Sequence, residues 1–321
     1  MERAAAEIVF DGVTKRYPGR ADAAVEGLTL TVAAGELCVL VGPSGGGKTT
    51  ALKMVNGLVP IDEGDIRIDG RSVRTMPPTE LRRGIGYVIQ QVGLFPHMTV
   101  AANVATVPRL LGWPRARIRA RVAELLELVG LDPAADAQRY PAALSGGQQQ
   151  RVGLARALAA DPPILLMDEP FAAVDPIVRA HLQQELRRLH REVGKTILFV
   201  THDLDEALGL GDRLAIFREG GVLAQVDAPD TVLAAPADDF VRRFVGEESA
   251  LRRLALRRIG ELELSARNGD DAGVPVASAS ATARSAVSLM LGAGATAVVV
   301  VGDDGAERGV LRLEQVRELL S

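Results

Sequence analysis

The sequence predicts an α/β fold with a mostly parallel core sheet, followed by a smaller α+β region. Three observations predict it. From Ile8 to about Phe244, short aliphatic runs alternate with amphipathic stretches of helical period. A glycine-rich turn joins one of those runs to a helix-forming stretch. From Val245 to Ser321 there is no aromatic residue and no lysine. That change of composition sets a domain boundary near Gly246, with residues 7–246 and 247–321 as the two parts. A chain of 321 residues accommodates two domains at about 150 residues each.

Taken in order, residues 8–32 and 64–74 read as antiparallel strands added at one edge. Residues 37–41, 85–89, 164–167 and 196–200 are near-continuous aliphatic runs, the pattern of strands covered on both faces. Helices are predicted over 49–56, 115–129, 147–159 and 178–192. In the second part, residues 268–273 read as a flexible spacer. Residues 282–321 then read helix, strand, a turn at Asp303-Asp304-Gly305, strand, helix.

Composition excludes several classes. Hydrophobic residues make up 47% and charged residues 24%, which is globular rather than disordered, collagenous or disulfide-built. The formal net charge of −4 gives no electrostatic reason to expect nucleic acid as a partner. Cys38 is the single cysteine, suits a reducing compartment, and reads as a small buried hydrophobe in a core strand. Aromatics are only 3%, so the core must be aliphatic. Residues 285–302 carry no charge and as a helix would span about 27 Å. Their three glycines and the run Val298-Val299-Val300-Val301 argue instead for helix, turn and buried strand. With an acidic start and no such span, the chain is expected to be soluble and cytoplasmic.

Residues Gly42-Pro43-Ser44-Gly45-Gly46-Gly47-Lys48-Thr49-Thr50 match G-x-x-x-x-G-K-[ST] after a strand and before a helix. Glycines let backbone N–H groups converge on phosphate oxygens, and the helix directs its positive end at the same anion. Lys48 supplies a point charge to the β- and γ-phosphates, and the Thr49 hydroxyl is placed for Mg²⁺. Lysine is rare here, at four residues among 37 cations, so its position in this turn stands out. Further on, Ile164-Leu165-Leu166-Met167-Asp168-Glu169 is an aliphatic strand ending in two carboxylates. Successive side chains point opposite ways, so Asp168 can face a metal while Glu169 faces an attacking water.

Leu144-Ser145-Gly146-Gly147-Gln148-Gln149-Gln150-Arg151 is a serine cap and two glycines at a helix start, a second anion-binding end in the same chain. With these residues the chain resembles the ATP-binding-cassette ATPases, over Ile8 to about Gly246. The resemblance implies a P-loop NTPase fold with a parallel core sheet, an antiparallel β edge and a helical signature subdomain. It also implies ATP and Mg²⁺ as ligands. A head-to-tail homodimer is implied too, in which Ser145, Gly146, Gly147 and Gln148 complete the ATP site of the opposite subunit.

The same resemblance assigns the remaining positions. Tyr17 stacks on adenine, Val25 adds an apolar contact to base or sugar, and Gly42 through Thr50 hold the phosphates. Gln90 reaches Mg²⁺ and the attacking water; its neighbour Gln91 is set aside by counting back from Leu94-Phe95-Pro96-His97. Thr49, Gln90 and Asp168 are the metal positions, Glu169 activates water, and His202 contacts the γ-phosphate. Asp175 belongs to a loop along the dimer interface, where Val174 replaces the commoner leucine. His181 and His190 lie on a polar helix and are expected to be solvated.

Residues 86–100 and Lys53-Met54-Val55-Asn56-Gly57-Leu58 resemble importers of glycine betaine, carnitine, choline or proline. That implies separate membrane permease subunits, a solute-binding protein reached through them, and a peripheral place on the inner face of the cell membrane. The tail, from Arg252-Arg253-Leu254-Ala255-Leu256-Arg257-Arg258-Ile259 onward, resembles a cystathionine-β-synthase-type (CBS) module. One repeat fits where a module pairs two. Its role is regulatory or dimer-supporting, and its four arginines form a basic cluster that could answer to salt or anionic lipid. Rival expectations are an importer ATPase for an amino acid, polyamine or anion, a non-transport cassette, and a nucleotide sensor without turnover.

Overall fold

The computed structural model describes residues 4–19, 22–90, 93–172, 176–268 and 273–320. The chain divides into two compact units, Met1–Asp227 and Ala228–Ser321.

The first unit opens with β1 (Ile8–Lys15), β2 (Val25–Val32) and β3 (Leu37–Val41), and β3 runs through the glycine-rich turn into α1 (Lys48–Val55). β4 (Glu63–Ile68), β5 (Arg71–Ser72), α2 (Pro78–Arg83) and β6 (Ile85–Val88) follow. A helical stretch comes next, with α3 (Val100–Val104), α4 (Thr106–Leu110), α5 (Arg115–Leu128), α6 (Pro133–Asp136) and α7 (Gly146–Leu158). The chain then returns to alternation through β7 (Ile164–Asp168), α8 (Pro176–Val193), β8 (Thr196–Thr201) and α9 (Leu204–Leu210). The unit closes with β9 (Arg213–Arg218) and β10 (Val222–Asp227).

The core sheet has the order β10-β9-β3-β8-β7-β6. β9, β3, β8, β7 and β6 run parallel and β10 is antiparallel at the edge. Every residue of β3, β7 and β8 is buried, as their unbroken aliphatic runs require. Each fully buried leucine or valine contributes about 1.5–3 kcal/mol relative to exposure. The four expected strands are present; β9 and β10 were not anticipated. In a parallel sheet the carboxyl ends of neighbouring strands open on one side. Here those ends carry Gly42 after β3, Gln90 after β6, Asp168 closing β7 and His202 after β8.

The strands expected at an edge form their own four-stranded antiparallel sheet, in the order β2-β1-β4-β5. Alternation explains the separation. Val25, Leu28, Leu30 and Val32 of β2 are buried while the residues between them are exposed. This sheet therefore has one dry face, which joins Phe10 and Ile66 to Leu52 and Val55 of α1 in one apolar cluster.

The second unit contains α10 (Pro229–Ala234), α11 (Asp239–Val245), α12 (Ser249–Leu256) and β11 (Val276–Ser278). It continues with α13 (Ala283–Ala293), β12 (Ala297–Val301), β13 (Glu307–Arg312) and α14 (Leu313–Glu318). The helix-strand-turn-strand-helix order expected over 282–321 is present. β11 was not foreseen, because three residues carry no readable period; it pairs parallel with β12 and makes α13 a crossover. Residues 285–302 hold the end of α13, a left-handed Gly294 cap and β12. Among the described residues no helix is long and apolar enough to cross a membrane.

This unit begins after Asp227, ahead of the composition change near Gly246, and Asp230 shows one tie that holds its early residues. Its carboxylate pairs with Arg253 at 3.3 Å and Arg257 at 2.8 Å. Arg252 donates to the Val245 carbonyl and Arg258 to the Ser280 carbonyl. The tail arginines are thus engaged locally, two of them by the Asp230 carboxylate. Asp175, Val174, Gln91 and most of the 268–273 spacer lie outside the described residues, as does the side chain of His181. His190 is not solvated as expected: its Nε2 lies 3.0 Å from the Gly35 carbonyl oxygen.

Candidate nucleotide site

The turn after β3 can be built only with glycine at its ends. At Gly47, with φ of 81°, a Cβ would stand 2.0 Å from the Ala24 carbonyl oxygen. At Gly42 it would stand 2.1 Å from the carbonyl oxygen of Phe217. The turn is therefore clamped between β9 and the segment entering β2. Val25 is fully buried, with its Cγ2 against this turn. Gly47 also caps α1 without a side-chain bond, which leaves the helix's first N–H groups to an anion.

Lys48 opens α1 and is 5% exposed. Its Nζ donates to the carbonyls of Gly42 and Pro43, each at 2.8 Å, inside the curve of the turn. Burial lowers its ammonium from the ordinary lysine value, while Glu169 and Asp168 act in the opposite sense. One residue on, the Thr49 hydroxyl donates to Asp168 Oδ1 at 2.7 Å. Lys53, four residues further on the same helix face, brings Nζ to 3.9 Å from Asp168 Oδ2. Sequence reasoning had not given Lys53 a place beside Asp168, although the i, i+4 spacing from Thr49 was readable.

The strand β7 ends at Asp168, and Glu169 turns away with φ of 45°, a left-handed conformation rare outside glycine. Such a residue costs about 1–3 kcal/mol and is held only by its surroundings. Here its N–H donates to the Val200 carbonyl at 3.0 Å. Its side chain is gripped from two sides: Gln90 Nε2 donates to Oε2 at 3.1 Å, and His202 Nδ1 lies 3.2 Å from Oε1. Gln90, Glu169 and His202 are thus one cluster, reached from three strand ends.

Tyr17 lies beyond β1 with an exposed ring, and Lys15 Nζ sits 5.5 Å from the ring centroid. Thr49, Asp168 and Gln90 offer a hydroxyl, a carboxylate and an amide oxygen, the Gln90 nitrogen being engaged by Glu169. Such an all-oxygen set with one carboxylate suits Mg²⁺, which takes its other ligands from phosphates and water. Among the described residues no group of three or more His, Cys, Asp or Glu forms a metal cluster.

At the start of α7, Ser145 and Gln148 make a reciprocal capping box. Gln148 N donates to Ser145 Oγ at 3.3 Å and Ser145 N to Gln148 Oε1 at 3.0 Å. Ser145 and Gly146 are exposed, so the positive end of this helix faces outward.

A glycine-cradled lysine, a carboxylate-anchored threonine and a clamped glutamate at parallel strand ends define a P-loop ATPase. Comparison with known proteins gives the family. The ABC transporter family matches over residues 25–172. The osmoprotectant import ATP-binding protein OsmV of Salmonella typhimurium is 45% identical over 97% of this chain and 80% of that protein. The glycine betaine uptake system ATP-binding protein YehX of Escherichia coli is 47% identical over 96% of this chain and 98% of that protein. A solved dimeric structure of the ATP-binding cassette MJ0796, bound to ADP and Pi, superposes with a TM-score of 0.61. It is 35% identical and covers 69% of this chain and 98% of that one. The chain belongs to the ATP-binding proteins of ABC transporters, and it is an ATP-hydrolysing subunit.

Proposed function

We propose that this chain energises uptake of glycine betaine, choline, carnitine or a related osmoprotectant through a separate membrane permease. The observation that carries this reading is the likeness to OsmV and YehX across almost the whole chain, tail included. A cassette matched only over its nucleotide-binding part would leave importers of amino acids or polyamines equally placed.

In this reading Gly42 to Thr50 wrap the triphosphate, with Lys48 on the β- and γ-oxygens and Tyr17 against the adenine. Thr49, Asp168 and Gln90 would hold Mg²⁺, which draws the phosphate oxygens together and neutralises their charge. Glu169 takes a proton from the attacking water, with Gln90 orienting both. His202 contacts the γ-phosphate and links it to Glu169. The exposed Ser145–Gln148 end serves the ATP of a second copy, in a head-to-tail homodimer, with Asp175 along the interface. The dimeric MJ0796 structure supports that arrangement.

A groove lined by Ala101, Ala105, Ile118 and Val122 together with Arg109 and Arg119 suits a short permease helix. Closure of the dimer would move that helix and change which side of the membrane the path faces. The chain would then sit peripherally on the inner membrane face, below a permease fed by a solute-binding protein. Residues 247–321 would form a CBS-like part that regulates or buttresses the dimer. Co-purification with the permease and uptake of labelled betaine, choline, carnitine and proline into vesicles tests the assignment. ATP-dependent uptake of any of these supports it, while uptake confined to an unrelated solute overturns it.

A further inference from the structure

The His202 side chain is 56% exposed, so packing does little to fix it. Apart from its contact with Glu169, its direction is set by the backbone on either side. That backbone is bound into a network converging on Glu206, a carboxylate only 7% exposed in the first turn of α9. Asp203 N donates to Thr201 Oγ1 at 3.0 Å, and Glu206 N donates to Asp203 Oδ1 at 3.0 Å. The Glu206 side chain ties this turn to α8: Gln183 Nε2 donates to its Oε1 at 3.0 Å. Arg179 NH1, also on α8, stands 3.7 Å from Asp203 Oδ2.

An ordinary first-turn glutamate sits in water, where the helix dipole favours it. Glu206 is buried instead. Burial pushes its carboxyl up from the ordinary glutamate value, opposed by the nearby Thr201 and Gln183 side chains. A buried carboxylate is costly unless it is engaged, and Gln183 of α8 engages this one.

We infer that Glu206 is a positioning residue for ATP hydrolysis: held by Gln183, it anchors the first turn of α9, which Asp203 caps at the end of the turn 201–203, and so aims His202 at Glu169. Glu206→Gln keeps an acceptor oxygen for Gln183, whereas Glu206→Ala removes it.

The test measures ATPase kinetics, equilibrium ATP binding and histidine side-chain ¹⁵N spectra on the full chain. In Glu206→Ala, kcat should fall about 10- to 100-fold, the scale of a misplaced reacting group, with ATP affinity and KM little changed. The His202 resonances should shift while those of His97 stay. Glu206→Gln should restore both kcat and the His202 resonances. Should Glu206→Ala fail to fold, Gln183→Leu removes one grip from the α8 side and should move kcat and His202 in the same direction. Wild-type kcat in Glu206→Ala would overturn the inference. So would unshifted His202 resonances in the alanine or leucine variant, or a glutamine variant as impaired as alanine.

Discussion

Gln90 Nε2 donates to Glu169 Oε2 at 3.1 Å, across 79 residues of sequence. The glutamine follows β6 and the glutamate follows β7, two neighbouring parallel strands in register from Ile85 with Ile164 to Val88 with Met167. That register alone brings an amide and a carboxylate together at the sheet's open edge. The bond holds one Glu169 oxygen while His202 faces the other.

Glu169→Gln keeps the shape of this cluster and removes its proton acceptor. Turnover should drop by about 10²- to 10⁴-fold while ATP stays bound. ATPase rates and size-exclusion chromatography with ATP check both parts, the second expecting a trapped dimer.

Lys48→Ala should act on binding itself. Charge-assisted hydrogen bonds contribute about 1.5–3 kcal/mol each, so ATP affinity should weaken by at least about tenfold. An equilibrium ATP titration reads this directly. Because the ammonium is buried against two carbonyls, the alanine also leaves Gly42 and Pro43 oxygens without that donor.

Gly47→Ala should destabilise the whole first unit. The new Cβ would meet the Ala24 carbonyl oxygen at 2.0 Å, at a residue whose φ of 81° already disfavours a side chain. A loss above about 1 kcal/mol, seen as a lower urea midpoint, is expected together with impaired ATP binding.

Asp62 offers a pH-dependent test. Its carboxyl is held below the ordinary aspartate value by hydrogen bonds from Lys15 Nζ at 2.8 Å and Arg16 N at 2.7 Å. A depressed folded-state pKa gives stability that is present above the unfolded value of 3.8 and lost as pH falls through the folded value. Wild type should therefore exceed Asp62→Asn in stability at neutral pH. The two should converge as acid protonates Asp62, in urea titrations run across that range.

Much of the site was legible because its residues are tied to local rules. The spacing from Gly42 to Thr49 and the doublet Asp168-Glu169 name their own backbone settings. The Ser145–Gln148 cap and the helix-turn-strand reading of 285–302 are likewise short-range patterns, and the structure contains both. Less legible was whatever depends on partners distant in the chain. That Asp230 and two carbonyls engage the arginines at 252, 253, 257 and 258 is not written in their own spacing. His190 looks solvated until Gly35, 155 residues away, receives it.

The sequence by itself determined the buried parallel strands, the phosphate turn, the capped signature helix and the family. Each is written in periods and spacings of fewer than about twenty residues. Tertiary structure alone decided that the antiparallel strands form a sheet of their own. It also decided that Thr49 and Lys53 share Asp168, that Val25 props the loop, and that Glu206 is buried behind His202. These depend on which strand ends and helix faces meet, and such meetings are fixed by packing across the whole sheet, which no local pattern records.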